Sequence, residues 1–126
     1  MWTAIEWAAR IVFVAFFVMS GVNHLVNRRA LAAYAGSKNV PAPGLAVVVT
    51  GVMLLAGAIL ILIGWHADWG AWLLVLFLVP TAFLMHNYWV ETDPMQRANQ
   101  QAHFWKNLTI AAAAVLYAIH VRGAAP

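Results

Sequence analysis

The stretch from residue 44 to residue 64, GLAVVVTGVMLLAGAILILIG, contains no charged side chain. A helix needs about 20 mostly apolar residues to cross the hydrocarbon core of a bilayer, and this stretch meets that requirement by itself. It is apolar on nearly every side, which is typical of a helix surrounded by lipid or by other helices. The stretch therefore predicts a membrane-spanning helix.

Three further stretches have the same character, so the predicted spanning helices lie at about residues 5–26, 44–64, 69–89 and 104–121. Short connections make consecutive helices antiparallel neighbours. We therefore expect a single domain over residues 1–126, with an all-α fold: a four-transmembrane-helix bundle with up-down-up-down topology. In the first helix, Glu6 precedes Arg10 by four residues, which predicts an ion pair on the helix surface.

The composition excludes several classes of protein. Hydrophobic residues make up 64% of the chain and charged residues 9%, whereas a soluble domain carries about 25% charged residues. The net charge of +3 is scattered over segment ends and forms no basic patch, so no nucleic-acid partner is expected. Cysteine is absent, which excludes disulfides, thiolate metal sites and iron–sulfur clusters on this chain. No nucleophile–base pair is visible, so we do not expect catalysis by this chain alone.

Basic residues concentrate at one end of the predicted helices. Those near the loops at 27–43 and 90–103 are Arg28, Arg29, Lys38, Arg97 and Lys106, whereas the opposite end has Arg10 and Arg122. Positive residues favour the cytoplasmic side. The sequence thus predicts an integral protein of the bacterial cytoplasmic membrane with loops 27–43 and 90–103 in the cytoplasm and both termini outside.

Polar side chains converge at that same end of the predicted bundle. The candidate ligand-binding residues are Asn23, His24, His86, Asn87, His103, Lys106 and Asn107. A polar group within a membrane must find a partner, and such groups are functional candidates by default. Two interpretations stay open: the layer satisfies helix ends, lipid phosphates and water, or it binds a headgroup or ligand.

The candidate cofactor for this layer is a quinone. His24 and His86 would donate to a quinone carbonyl or a phosphate, with the asparagines orienting them. Haem held by the two histidines is disfavoured, because both lie close to the membrane edge and four helices leave little room for it. No metal site is predicted, since no carboxylate lies within a helix core.

The last predicted helix carries a face of small residues. Asn107, Ala111, Ala114 and Ala118 recur at helical spacing, and His103 continues the same face. Small residues allow helices in a membrane to approach closely. The spacing therefore predicts that this face packs against other helices and that Asn107 points inward.

The order and spacing of five short motifs resemble those of the DoxX family over residues 11–116. The motifs are SGVNHL at 20–25, YAGSKNVPAPG at 34–44, GAILILIG at 57–64, HNYW at 86–89 and FWKNLTIAAAAVL at 104–116. The family pattern includes a glycine, a His-x-x-Trp pair and a Lys-Asn pair. In this chain these positions fall on Gly57, on His86 with Trp89, and on Lys106 with Asn107. Family members often carry a glutamate in the second helix. Leu54 stands there in this chain, so a role that needs that carboxylate does not carry over.

The resemblance implies a four-helix membrane protein. Some relatives are subunits of a thiosulfate:quinone oxidoreductase, and others associate with oxidative-stress or thiol-handling proteins. We expect an accessory or anchor subunit of a quinone-linked redox system, with the lipid bilayer and a protein in a membrane complex as partners; a homo-oligomer is a further possibility. The alternatives are a binding or transport module for a small solute or lipid, and a purely structural subunit.

Overall fold

The computed structural model describes residues 2–124 of the chain. Within that range the ordered elements are helices: α1 (Ala4–Val26), α2 (Arg28–Ser37), α3 (Pro43–Ile63), α4 (Ala67–Met85), a 3-10 turn (Tyr88–Val90) and α5 (Pro94–Ala124). Four segments are long and apolar enough to cross a membrane, namely α1, α3, α4 with the 3-10 turn, and α5. The predicted all-α fold with four spanning helices is confirmed.

The helix α2 lies in the connection that we had predicted to be a loop at residues 27–43. Its sequence, RRALAAYAGS, is rich in alanine and also contains leucine and arginine, all of which favour helix. It packs against α3, and Ala35 is buried there. The prediction missed it because the segment is too short and too polar to span a membrane, and the prolines that forbid helix come only after it.

The helix α5 begins at Pro94, about ten residues before the predicted start near Phe104. The carboxylate of Asp93 accepts a hydrogen bond from the backbone N–H of Gln96 at 3.0 Å, as an N-cap residue does. Proline suits the first position of a helix because its missing N–H would be unpaired there anyway. The polar residues 94–103, which we had predicted to be a loop, thus form the first turns of a helix that extends beyond the apolar span.

Two pairs of glycines bring α3 close to its neighbours. A Cβ atom on Gly21 of α1 would lie 3.0 Å from the carbonyl oxygen of Gly51 on α3. On the other side of α3, a Cβ on Gly57 would lie 2.8 Å from the oxygen of Gly70 on α4, and a Cβ on Gly70 would lie 2.7 Å from the oxygen of Gly57. These close approaches place α3 between α1 and α4.

The inward face of α5 lies against the bundle as its spacing predicts. Asn107, Ala111, Ala114 and Ala118 are all buried, which confirms the predicted packing face. His103 departs from the prediction, because its side chain is exposed. The position falls beyond the apolar part of α5, where no other helix covers it.

The bundle has one loosely packed side. Going round it, α1 packs on α3, α3 on α4, and α4 on α5. Over residues 2–124, the backbones of α1 and α5 do not pack closely against each other. We call this side the α1–α5 seam. Both cavities described below lie along it.

Candidate functional site

A cavity of about 400 Å³ lies at the end of the bundle that carries residues 27–43 and 86–93. We call it the loop-end cavity. Four of the seven predicted site residues line it: His24, His86, Lys106 and Asn107. Most of its wall is apolar, and the aromatic part comes from Phe16, Phe17 and Phe77. The structure thus brings the two histidines and the buried asparagine to one aromatic-walled space.

His24 is held from one side of its ring. Its Nδ1 lies 3.1 Å from Oγ1 of Thr50 and 3.3 Å from the carbonyl oxygen of Val47. The Thr50 hydroxyl itself donates to the carbonyl of Ala46 at 2.7 Å, so its oxygen accepts. Both partners of Nδ1 are therefore acceptors, which assigns the ring hydrogen to Nδ1. In the neutral ring, Nε2 is left as an acceptor with no partner within residues 2–124.

His86 follows the last residue of α4 and is held in a similar way. Its Nδ1 lies 2.8 Å from Oε1 of Gln100, and Nε2 of the same glutamine donates to the hydroxyl of Tyr34 at 3.1 Å. The amide oxygen can only accept, so the His86 hydrogen is also on Nδ1. The ring stacks on that of His103, with centroids 5.1 Å apart. Each histidine that lines the cavity is therefore oriented through Nδ1, with Nε2 unpaired among the described residues.

Asn107 provides the most buried polar group of the site. Its side chain is 7% exposed and makes no hydrogen bond to another residue in the range 2–124. A carboxamide offers two N–H donors and one oxygen acceptor. The neighbouring Lys106 is exposed, and its Nζ lies 5.7 Å from the centre of the Phe16 ring. The cavity therefore has one buried amide available to a ligand and one cation at its rim.

Three of the predicted site residues do not line the loop-end cavity: Asn23, Asn87 and His103. Asn23 is exposed and accepts a hydrogen bond from the Asn27 amide at 2.5 Å. His103 is exposed and touches the site through its stacking on His86 and through its Nδ1, which lies 3.4 Å from Nζ of Lys106. Both residues lie on the predicted side of the bundle, but on faces turned away from the cavity.

Asn87 takes part in a bridge between the first and third connections. Its side-chain oxygen accepts from Nζ of Lys38 at 2.9 Å, and Lys38 also pairs with Glu91 at 3.4 Å. The two charged side chains are only 14% and 28% exposed. Sequence reasoning missed this bridge, although opposite charges in two loops at the same end were the available signal. The bridge holds α2 and the end of α4 beside the cavity.

A second cavity, of about 670 Å³, lies on the α1–α5 seam at the opposite end of the bundle. We call it the terminal-end cavity. Its lining includes Trp2 and Arg10 from the N-terminal part of the chain and Tyr117 from α5. No prediction from the sequence pointed to this cavity.

The predicted surface ion pair between Glu6 and Arg10 is wrong. Glu6 instead closes a capping box: its carboxylate accepts from the N–H of Thr3 at 2.7 Å, and the Thr3 hydroxyl accepts from the N–H of Glu6 at 3.2 Å. Arg10 turns inward and donates to the Ile61 carbonyl and, at 2.8 Å, to the Tyr117 hydroxyl. The Thr-x-x-Glu spacing at residues 3–6 was the signal that could have corrected the prediction.

Metal binding has no visible site in the part of the chain that the structure describes. No three His, Asp or Glu side chains between residues 2 and 124 are grouped closely enough to hold a metal ion.

Comparison with known proteins identifies a family. A family model described as DoxX matches residues 6–87. The Escherichia coli K12 protein named inner membrane protein YphA is 34% identical over 116 residues, which is 92% of this chain and 82% of that protein. No solved structure matches the chain. The matched ranges include α1, α3 and α4, which supply most of the wall of the loop-end cavity.

Proposed function

The chain belongs to the DoxX family of integral membrane proteins, and on that premise we propose that it is an accessory subunit of a quinone-linked redox system. Its part is to bind a quinone headgroup in the loop-end cavity. One observation carries the proposal: two histidines with unpaired Nε2 atoms and one buried, unpaired carboxamide share a cavity with aromatic walls.

The size and walls of the cavity suit a flat ring. Its volume of about 400 Å³ lies within the range of roughly 300–1,000 Å³ that small-molecule sites occupy. Phe16 and Phe77 offer aromatic surface on which a ring can pack, and aromatic pairs add to the gain from burial. Because the cavity lies along the α1–α5 seam, an isoprenoid tail has a path outward between helices whose backbones are not tightly packed.

The hydrogen-bonding groups suit both oxidation states of the headgroup. The Asn107 amide can donate to a carbonyl of the oxidised ring. Reduction turns carbonyls into hydroxyls, which donate, and the Nε2 atoms of neutral His24 and His86 accept. This arrangement differs from the donor role that we had expected for the histidines, because Nδ1 carries the ring hydrogen in both.

The proposal assigns binding to this chain and electron transfer to a partner protein. A bound quinone would carry electrons and protons between membrane partners. Three exposed arginines at the loop end provide a positive surface for acidic lipids or for an acidic partner, namely Arg28, Arg29 and Arg97. Nζ of Lys106 at the cavity rim supports a second candidate, in which the cavity holds a lipid phosphate.

The test measures quinone retained through purification. Wild type and a His24→Ala/His86→Ala variant are purified in mild detergent, extracted with solvent, and their quinone is quantified by mass spectrometry per mole of protein. With the quinone kept reduced throughout by dithionite, we expect about tenfold less of it in the variant, since two neutral hydrogen bonds from the hydroxyls of the reduced ring together contribute about 1–2 kcal/mol. His120→Ala serves as the matched control, because it removes an exposed histidine at the opposite end of α5.

Two outcomes would contradict the proposal. In one, the wild type retains quinone and the folded double variant retains just as much, which would detach the histidines from binding. In the other, the wild type retains a phospholipid in stoichiometric amount and no quinone, which would favour the second candidate. A wild type that retains neither would favour a purely structural subunit.

A further inference from the structure

The terminal-end cavity has mostly apolar walls, and its lining also includes Arg10, Glu6 and His120. Its apolar residues include Phe13, Ala113 and Val121. The walls come mainly from α1 and α5, whose backbones do not pack closely, so the cavity opens along the α1–α5 seam. Arg10 lies six residues into α1, about 9 Å from its start at a rise of about 1.5 Å per residue. Arg10 is therefore nearer to the end of the span than to its middle, within reach of a headgroup at this side of the bilayer.

One side of the Arg10 guanidinium is fully used. Its Nη1 donates both hydrogens, one to the carbonyl oxygen of Ile61 and one to the Tyr117 hydroxyl at 2.8 Å. Ile61 is in the last turn of α3, where carbonyl groups have no partner within the helix, so Arg10 caps this end. The ring of Trp2 covers the guanidinium, with its centre 3.4 Å from Cζ.

The other edge of the same guanidinium has no partner. Nε is buried without a hydrogen-bond partner, and Nη2 makes no hydrogen bond to any residue between 2 and 124. The Tyr117 hydroxyl accepts from Nη1, while its own hydrogen has no acceptor in the same range. Nε and Nη2 together form the planar fork that binds a carboxylate or phosphate through two parallel hydrogen bonds. Three donors therefore remain available beside the cavity.

The Arg10 guanidinium forms no ion pair with a carboxylate among the described residues. The carboxylate of Glu6 lines the same cavity, but it accepts the N–H of Thr3 in the capping box. The ion pairs of the described residues join Lys38 to Glu91 and Arg122 to Asp68. The C-terminal end of α3 carries only about half a negative charge. A partly buried cation within a membrane protein is costly unless an anion accompanies it. The cavity therefore has a carboxylate in its lining but none paired with Arg10, and the open fork of the guanidinium is where an anionic headgroup would bind.

We propose that the terminal-end cavity binds an amphiphile through an anionic headgroup, a carboxylate or a phosphate. The headgroup oxygens accept from Nε and Nη2 of Arg10 and from the Tyr117 hydroxyl. The alkyl chain lies along the α1–α5 seam, past Phe13 and Ala113, toward the lipid. This site is separate from the loop-end cavity and does not depend on whether a quinone binds there.

The test measures binding of defined probes to the purified protein in a nonionic detergent by native mass spectrometry. The anionic amphiphiles are oleate and dioleoyl phosphatidic acid, which distinguish a fatty-acid carboxylate from a lipid phosphate. Methyl oleate removes the charge, and acetate and inorganic phosphate remove the chain. We expect one molecule of at least one anionic amphiphile to bind per protein. Methyl oleate, acetate and inorganic phosphate should each bind at least about tenfold more weakly, because each loses either the charged hydrogen bonds or the apolar contact.

The decisive variant is Arg10→Gln, which should weaken binding of the anionic amphiphile at least about tenfold. Arg122→Gln is the matched control, since this arginine lies at the same end with a side chain that is 74% exposed. If Arg10→Gln does not fold because Ile61 loses its cap, Ala113→Trp decides, since it fills the cavity without removing the arginine. Loss of anionic amphiphile binding in Ala113→Trp supports the proposed site in the terminal-end cavity.

The proposal is overturned by any of three results. Folded Arg10→Gln, or Ala113→Trp where the first does not fold, binds the anionic amphiphile as the wild type does. Methyl oleate, acetate or inorganic phosphate binds as tightly as the anionic amphiphile. Neither oleate nor phosphatidic acid binds to the wild type at all.

Discussion

A Gly57→Ala/Gly70→Ala variant is expected to lose about 3 kcal/mol of its free energy of unfolding. Each added Cβ would lie less than 3.0 Å from a backbone oxygen across the α3–α4 contact, at 2.8 Å for Gly57 and 2.7 Å for Gly70. A backbone oxygen cannot rotate away as a flexible side chain does, so the two helices must separate. Reversible unfolding in mixed detergent micelles, followed by far-ultraviolet circular dichroism, measures the loss.

The matched control for this prediction is Gly44→Ala, where a Cβ would meet nothing within 4 Å. Alanine favours helix over glycine by about 1 kcal/mol, so this variant should be as stable as the wild type or slightly more stable. Equal stability changes in the double variant and the control would contradict the close α3–α4 contact.

An Asn107→Leu variant is expected to bind oxidised quinone about fivefold more weakly, because one neutral hydrogen bond is lost, and yet to be more stable than the wild type. The amide of Asn107 makes no hydrogen bond to residues 2–124 and lines a cavity with mostly apolar walls, so its incomplete solvation there costs free energy. Leucine of similar size removes that cost, and it also removes the donor that a quinone carbonyl would use. Quinone content per protein and the free energy of unfolding without ligand are measured on the same preparation.

Weaker quinone binding together with a higher free energy of unfolding would identify Asn107 as a binding residue, because the loss of a structural residue lowers stability. Asn99→Leu is the control, because it makes the same change at an exposed position of α5 outside the cavity. That variant should keep its quinone. If Asn107→Leu is less stable than the wild type and retains its quinone, the amide serves packing, and the proposed role of Asn107 is wrong.

The spanning helices could be predicted from the sequence because lipid imposes a simple requirement. Each span needs a long apolar segment, and helices are the only open-ended elements that satisfy their own backbone hydrogen bonds in hydrocarbon. The inward orientation of Asn107 also followed from spacing alone, because a face of alanines 111, 114 and 118 has no reason to face lipid.

The features that were not predicted are those that do not depend on the lipid's demand for a long apolar segment. Residues 28–37 and 94–103 are polar helices outside the apolar spans, so hydropathy could not find them, although Asp93-Pro94 is a helix-start signal. The inward turn of Arg10 depends on the free carbonyl of Ile61, which comes near only after α1 and α3 have packed. A contact between residues so far apart in the sequence has no local signal. The same holds for the hydrogen bonds that orient His24 and His86.

The two cavities place different chemistry at the two ends of one seam. At the loop end, neutral donors and acceptors with aromatic walls suit a quinone ring. At the terminal end, a guanidinium with an open fork and mostly apolar walls suit an anionic amphiphile. The two cavities share no lining residue, and the ring of Phe13 at the terminal end packs on the ring of Phe17 at the loop end, so we regard these as separate sites.

Photolabelling would locate a quinone headgroup in the loop-end cavity without relying on copurification. A quinone analogue that carries an azide on its ring is added to the protein in lipid nanodiscs and illuminated, and the labelled peptides are identified by mass spectrometry. We expect labelling of α1 near residues 16–24 and of the end of α4 with the following His86, and this labelling should be suppressed by excess native quinone and by Asn107→Leu. If labelling is instead spread over lipid-facing peptides and neither the competitor nor the variant changes it, the quinone headgroup does not bind in the loop-end cavity.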